Sequence, residues 1–215
     1  MNYLESVNNV LVRLREDEVT APTDTPYSKL ISTFVNDAKR YVEDSFQWNV
    51  LTETLTVTTA NDLFNYVLTS SGQRFRVMDV VHAEQDYFLE PKTSSQMNQL
   101  LLNGTPQKGQ PTYYNFNGVD VNGDTQVDLY PIPDGIQNIY FNLYKPQPQL
   151  TDASTTIFVP SEPVVKYAYA MAVAERGEDG GLSSQEATAL AATSLSDHIA
   201  MAESRQNDQY IWSSV

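Results

Sequence analysis

The chain has 215 residues, 41% of them hydrophobic and 19% charged, a balance that supports one or two buried cores and excludes a fibrous or low-complexity protein. Its formal net charge is −14, from 27 acids against 13 bases, spread at about −3, −5 and −6 over residues 1–50, 51–150 and 151–215, and that argues against a nucleic-acid-binding surface, which needs clustered Lys and Arg to displace counterions. The absence of cysteine excludes disulfides, thiol nucleophiles and thiolate metal sites together.

No apolar run approaches the roughly 20 residues of a membrane span, so no membrane insertion is expected. The opening residues Met1-Asn-Tyr-Leu-Glu-Ser6 offer neither a basic n-region nor an apolar h-region, and the sequon at Asn103-Gly-Thr105 therefore carries little meaning. The same acidity that repels phosphate suits a wall past which DNA slides without sticking.

The first predicted helix runs from about Tyr3 to Arg15, with Leu4, Val7, Val10, Leu11 and Leu14 inward and a capping box of Asn2 with Glu5. The second opens at Thr25 as N-cap, with Pro26 in the first turn where a missing N–H costs nothing. Tyr27, Leu30, Ile31, Phe34, Val35, Ala38, Tyr41 and Val42 recur at helical spacing and predict its apolar face. Lys29, Asn36, Asp37, Lys39, Arg40, Glu43 and Asp44 are assigned to the other face. This helix passes through Phe46-Gln-Trp48 into the alternating strand Leu51–Val57.

From Leu51 to Pro148 the signals are strand-like: Val77–His82, Tyr87–Leu89, Thr112–Phe116, Val127–Tyr130 and Ile139–Tyr144, with a short helix over Ser94–Leu102. The last three strands read as a meander, with a hairpin turn at Asn122-Gly123. Ser161 then caps a helix over Glu162–Glu175, thinned by Ala168, Ala170, Ala172 and Ala174 and ended by Gly177 and Gly180-Gly181. A second capping box, Ser183 with Glu186, opens a last helix with the stripe Ala187, Leu190, Ala191, Ser194, Leu195, Ile199 and Ala202.

This order predicts an α+β fold: a four-helix bundle formed by N- and C-terminal helix pairs (residues 1–50 and 151–205), an inserted antiparallel β-rich domain (51–150) and a C-terminal docking tail (206–215).

Reactive constellations are not found. Asp120-Val-Asn-Gly-Asp124 begins like a calcium loop, but Thr125 and Pro131 stand where such a loop needs Gly and an acid. The two histidines, His82 and His198, read as strand-end and helix-flank residues. Asp128, Asp134 and Glu84 read as turn or surface acids, and neither a Gly-x-Ser-x-Gly elbow nor a Gly-rich phosphate loop is present. Catalytic, cofactor-binding and metal residues are therefore expected to be none, and the protein no enzyme.

Thirteen tyrosines are more telling. Tyr113, Tyr114, Tyr130, Tyr140 and Tyr144 lie in predicted strands and imply either a sheet face that meets a partner, Tyr140 and Tyr144 its candidates, or a solvated tyrosine face. A glycan-stacking sheet is a further reading of the same rings. Phe46 and Trp48 are the candidate anchor between bundle and sheet. Tyr210, Ile211 and Trp212 place large apolar groups near the C-terminus, which predicts docking on this chain, a neighbouring copy or a partner.

Ser6-Val-Asn-Asn-Val-Leu11, the helix end from Asn36 to Trp48, the run Trp48-Asn-Val-Leu-Thr-Glu-Thr-Leu-Thr-Val57 and Pro160-Ser-Glu-Pro-Val-Val-Lys-Tyr167 before an Ala-rich helix together resemble the head-to-tail adaptor, or tail tubular protein A, family of short-tailed bacteriophages. The resemblance implies a structural virion protein assembled in the host cytoplasm, forming a dodecameric ring. That ring would bind the portal protein on one side and a tail nozzle of the tail tubular protein B type on the other, with tail fibres near the junction and DNA passing through the lumen without specific binding. Another tail-completion or stopper protein, and a glycan- or receptor-binding module, are the alternative readings.

Overall fold

The computed structural model describes residues 1–102, 104–177 and 183–205. Its helices are α1 (Tyr3–Arg13), α2 (Pro26–Ser45), α3 (Ser94–Leu102), α4 (Ser161–Arg176) and α5 (Ser184–Glu203). Its strands are β1 (Thr52–Thr58), β2 (Asn65–Val67), β3 (Arg76–His82), β4 (Tyr87–Phe88), β5 (Glu90–Pro91), β6 (Tyr113–Val119), β7 (Thr125–Tyr130) and β8 (Asn138–Tyr144). The chain divides into two compact units, a helical one of Met1–Val50 with the chain from Gln147 onward, and a β-rich one of Leu51–Pro146. The fold is mixed α+β, as the element order predicts.

The helices α1, α2 and α5 begin where the sequence signals their caps. The Asn2 carboxamide accepts the Glu5 N–H while the Glu5 carboxylate accepts the Asn2 N–H, both at 2.8 Å, and Ser183 and Glu186 make the same reciprocal pair at α5. Thr25 caps α2 together with Ser28. Gly177 closes α4 in the left-handed region at φ 61°, a conformation that favours glycine. Ser161 does not cap α4: it is already the first helical residue, Pro160 holds the N-cap position at φ −52° and ψ 120°, and no side chain caps the helix.

α4 packs against α1, α2 and α5. Its buried Ala168, Ala170 and Ala172 keep it thin enough for neighbours on several sides, whereas Ala174 is exposed. The α5 seam holds at Ala187, Ala191, Ser194 and Leu195. Leu190 falls at the edge of that stripe, on a helix whose main packing partner is α4, and is left exposed.

The predicted two-faced pattern fails in α2. Ile31, Val35, Ala38 and Val42 are buried as expected, but so are Ser28, Ser32, Asn36, Lys39 and Glu43, while Tyr41 of the apolar set stays exposed. Asn36, Lys39 and Glu43 are buried against an irregular segment from Gln147 to Leu150, whose backbone groups lack a ladder of their own and take polar partners from the helix. The Ser28 and Ser32 hydroxyls donate instead to the Thr25 and Pro22 carbonyls of the loop before α2.

The β-rich unit is two four-stranded sheets, ordered β1-β8-β3-β4 and β2-β7-β6-β5. All pairings are antiparallel except β5 with β6. One core of Val57, Tyr66, Leu68, Val80, Leu89, Tyr114, Val127, Leu129, Ile139, Phe141 and Leu143 draws on both sheets. Tyr114 stands edge-on to Phe141 across it, at 6.0 Å and 85°. β6 and β7 form the predicted hairpin, with Gly123 at φ 83°. β8 does not continue it as a meander; it crosses to the other sheet, where β1 and β3 pair with its two edges. Alternation of Ile139, Phe141 and Leu143 identifies the strand but is blind to its neighbours.

Candidate docking groove

The polar stripe of α2 builds a clamp. Lys39 and Glu43 form an i,i+4 ion pair at 2.9 Å with side chains 3% and 0% exposed. The same two groups take both backbone groups of Gln147: Lys39 Nζ donates to its carbonyl at 2.7 Å, and its N–H donates to Glu43 Oε1 at 3.1 Å. One turn earlier, the Asn36 carboxamide accepts the Leu150 N–H at 2.8 Å and donates to the Leu150 carbonyl at 3.1 Å and to the Tyr3 hydroxyl at 2.9 Å. Tyr3 Oη in turn donates to the Ser32 carbonyl at 3.1 Å. Hydrogen bonds with charged or doubly engaged partners are stronger than average, and low local dielectric strengthens them further.

Beyond the clamp, the chain runs along the start of α1. Tyr3 N–H donates to Thr155 O at 2.9 Å, and Ile157 N–H donates to Met1 O at 3.1 Å. The Gln147 side chain ties the turn shut, donating to Thr156 O at 2.8 Å and accepting Phe158 N–H at 3.3 Å. The product is a wall of Ile157–Ser161 held at a fixed place beside Trp48.

Between that wall, the Trp48–Val50 turn and the last turns of α5 lies a groove of about 490 Å³. Trp48 is buried, its indole N–H donates to Val42 O at 2.8 Å, and its ring meets Phe46 edge-on at 5.2 Å. Val50 is 56% exposed, Phe158 53% and Met201 50%. His198 donates from Nδ1 to Ser194 O at 2.7 Å, and its Nε2 stands 3.9 Å from Glu162. The Glu162 carboxyl is held below its usual range, chiefly by Lys166, so the rim beside His198 stays anionic.

The other sequence candidates are placed as follows. Tyr140 is 38% exposed, while Tyr144 is buried. Tyr114 and Tyr130 are buried as well, and the Tyr66 and Tyr87 hydroxyls donate to the carbonyls of Leu63 and Pro111. Of the strand tyrosines, Tyr66, Tyr114, Tyr130 and Tyr144 thus fill the interior, while Tyr87 and Tyr113 are half-buried. Tyr210, Ile211 and Trp212 lie outside the described residues.

Asp128 is no turn or surface acid: it is 2% exposed, and its carboxylate accepts from Asn65 and Asn117 on the flanking strands. His82 is buried at the end of β3, with Nε2 3.1 Å from Gln137 Oε1 and the Glu84 N–H donating to Nδ1. Asp120 spends its carboxylate on the N–H groups of Asn122 and Asp124, closing the turn. No group of three or more His, Cys, Asp or Glu among the described residues is arranged to hold a metal ion, and no described helix is long and apolar enough to cross a membrane.

The clamp was missed in the sequence because Asn36, Lys39 and Glu43 carry the same polar signature as a solvated face. The one available signal was their spacing with Ser28 and Ser32, which sets a second, polar stripe directly beside the apolar one.

Residues 1–214 match the family model described as SU10 adaptor protein. No curated protein matches the chain.

Proposed function

The chain belongs to the SU10 adaptor protein family, a phage head-to-tail adaptor family, and on that premise we propose that copies of it form a ring joining the portal protein to the tail nozzle. It is a phage structural adaptor and a component of the virion. The ring is a dodecamer, DNA passes through its lumen, and tail fibres attach near the nozzle side. The helical unit supplies a four-helix bundle to the ring wall, with Phe46 and Trp48 packed at the end of α2 as its candidate anchor. In the assembled ring Tyr210, Ile211 and Trp212 contact the portal or a neighbouring copy, and Tyr140 offers the sheet's contact surface.

The observation that carries this reading is the family match over residues 1–214. Two features support it. The charge of −14 disfavours sticking of DNA at the wall. The outer face of α5 presents Ala189, Ala192, Thr193, Ser196 and Ala200 to solvent, small groups that let another helix approach closely.

Native mass spectrometry of the purified chain, alone and mixed with its portal, tests the proposal. A twelve-copy mass formed on the portal, or stabilised by it, is the expected result. A monomer indifferent to the portal overturns it, and a ring of another symmetry points to a stopper or tail-completion role.

A further inference from the structure

We propose that in the free, unassembled chain the groove beside Trp48 is occupied by that chain's own C-terminal residues, Tyr210, Ile211 and Trp212 being the groups that fill it. The inference concerns the protein before it meets any partner, and it does not depend on the ring.

Four observations converge. Val50, Phe158 and Met201 are each about half exposed, yet they share one concavity instead of lying scattered, and clustered apolar exposure marks a contact site. The groove's 490 Å³ falls in the range of about 300–1,000 Å³ typical of cavities that bury a bound group. Arg205, the last described residue, lies on the lining of this same groove. Tyr210 is five positions further on, a span of at most about 17 Å for extended chain, so the aromatic groups reach the groove from where the helix ends.

The same tether decides between occupants. A segment joined by so short a linker reaches an effective concentration of about millimolar, far above that of a second copy in a dilute solution. The chain's own segment therefore takes the site until a larger surface competes for it. Docking of this kind leaves the tail residues hidden in the free protein and released on assembly.

The chain has two tryptophans, Trp48 and Trp212, and this makes the test direct. In full-length Trp48→Phe, Trp212 is the only indole. Its emission is expected to be blue-shifted and shielded from acrylamide, to the same degree at every protein concentration. Val50→Asp and Phe158→Asp, each made in that background at a half-exposed position, should red-shift it and raise the quenching constant several-fold. A freely quenched Trp212, shielding that grows with concentration, or shielding unchanged by both aspartates overturns the proposal. Because Trp48→Phe removes a buried hydrogen bond, a second measurement keeps Trp48 in place. Trp212→Ala should increase binding of an apolar fluorescent dye, and adding Val50→Asp should abolish the increase; unchanged dye binding overturns the proposal independently.

Discussion

Phe141 in the β-rich unit and Glu43 in the helical unit are both essentially removed from solvent, yet their surroundings have little in common. Phe141 sits among Ile139, Leu143, Tyr114 and Phe116, an interior of rings and aliphatic groups contributed by two sheets. Glu43 faces an ammonium and a backbone N–H, and with Asn36 it fixes a segment that belongs to no helix or strand. Apolar burial is roughly proportional to area and tolerates small shifts. A buried charge pair is a weak source of net stability but a demanding specifier of geometry, because any misplacement leaves a charge unpaired. The difference teaches that the two units solve separate problems: the β-rich unit holds sheets together, and the helical unit locates one irregular wall.

The largest effects test this contrast at its two centres. Phe141→Ala should destabilise the protein by about 3–5 kcal/mol through lost burial and a cavity. Glu43→Leu should cost a similar amount, about 3–5 kcal/mol, through the stranded Lys39 ammonium. The two then part company under a second substitution. Lys39→Met added to Glu43→Leu should recover about half of the loss, leaving about 1–3 kcal/mol for the Gln147 backbone groups that lose their partners. No second substitution at the polar clamp should rescue Phe141→Ala. Urea denaturation of the four chains reads these values; a Glu43→Leu cost near zero would erase the distinction between the units.

The same contrast explains what the sequence disclosed. Helix ends were legible from Asn2 with Glu5, Thr25 with Pro26, and Ser183 with Glu186, because a cap is a local bargain between neighbouring residues. The Asn122-Gly123 turn and the alternation in β1 and β8 were legible for the same reason. Strand order was not, since β8 reads alike whether it continues a meander or crosses to pair with β1 and β3. β2 and β5, with three and two residues, are too short to display a period. The burial of Asn36, Lys39 and Glu43 was hidden because their partners, Gln147 and Leu150, lie more than 100 residues away. Of the candidate groove, Trp48 was legible as an aromatic helix end, while Phe158 and Met201 gave no signal that they share a concavity.

An intermediate effect sharpens the comparison within hydrogen bonds alone. Asn36→Ala removes the partner of both Leu150 backbone groups and should cost about 1–3 kcal/mol, with faster amide exchange at Leu150. Thr54→Ala removes a bond of similar length, 2.6 Å to Asn142, on an exposed sheet face, and should stay within about 0.5 kcal/mol. Equal costs would mean that burial, not bond count, has been misjudged in the clamp.

The smallest effect is a slope at alkaline pH, carried by Tyr167 of α4. Burial first, then the hydroxyl and charge of Tyr41 beside it, push the Tyr167 phenol up to about 12. The rings of the pair lie 4.7 Å apart. A phenol whose folded pKa exceeds its unfolded value of about 10 holds its proton more tightly in the folded chain. Its contribution is fully present below about pH 10 and is lost as pH rises toward 12. Tyr167→Phe should flatten stability over that window and remove one late step from the phenolate absorbance titration. Tyr66, Tyr87 and Tyr114 of the β-rich unit are also raised by burial, so their share of the alkaline slope should survive in Tyr167→Phe. Complete disappearance of the slope would assign all of it to the helical unit and contradict the aromatic interior of the sheets.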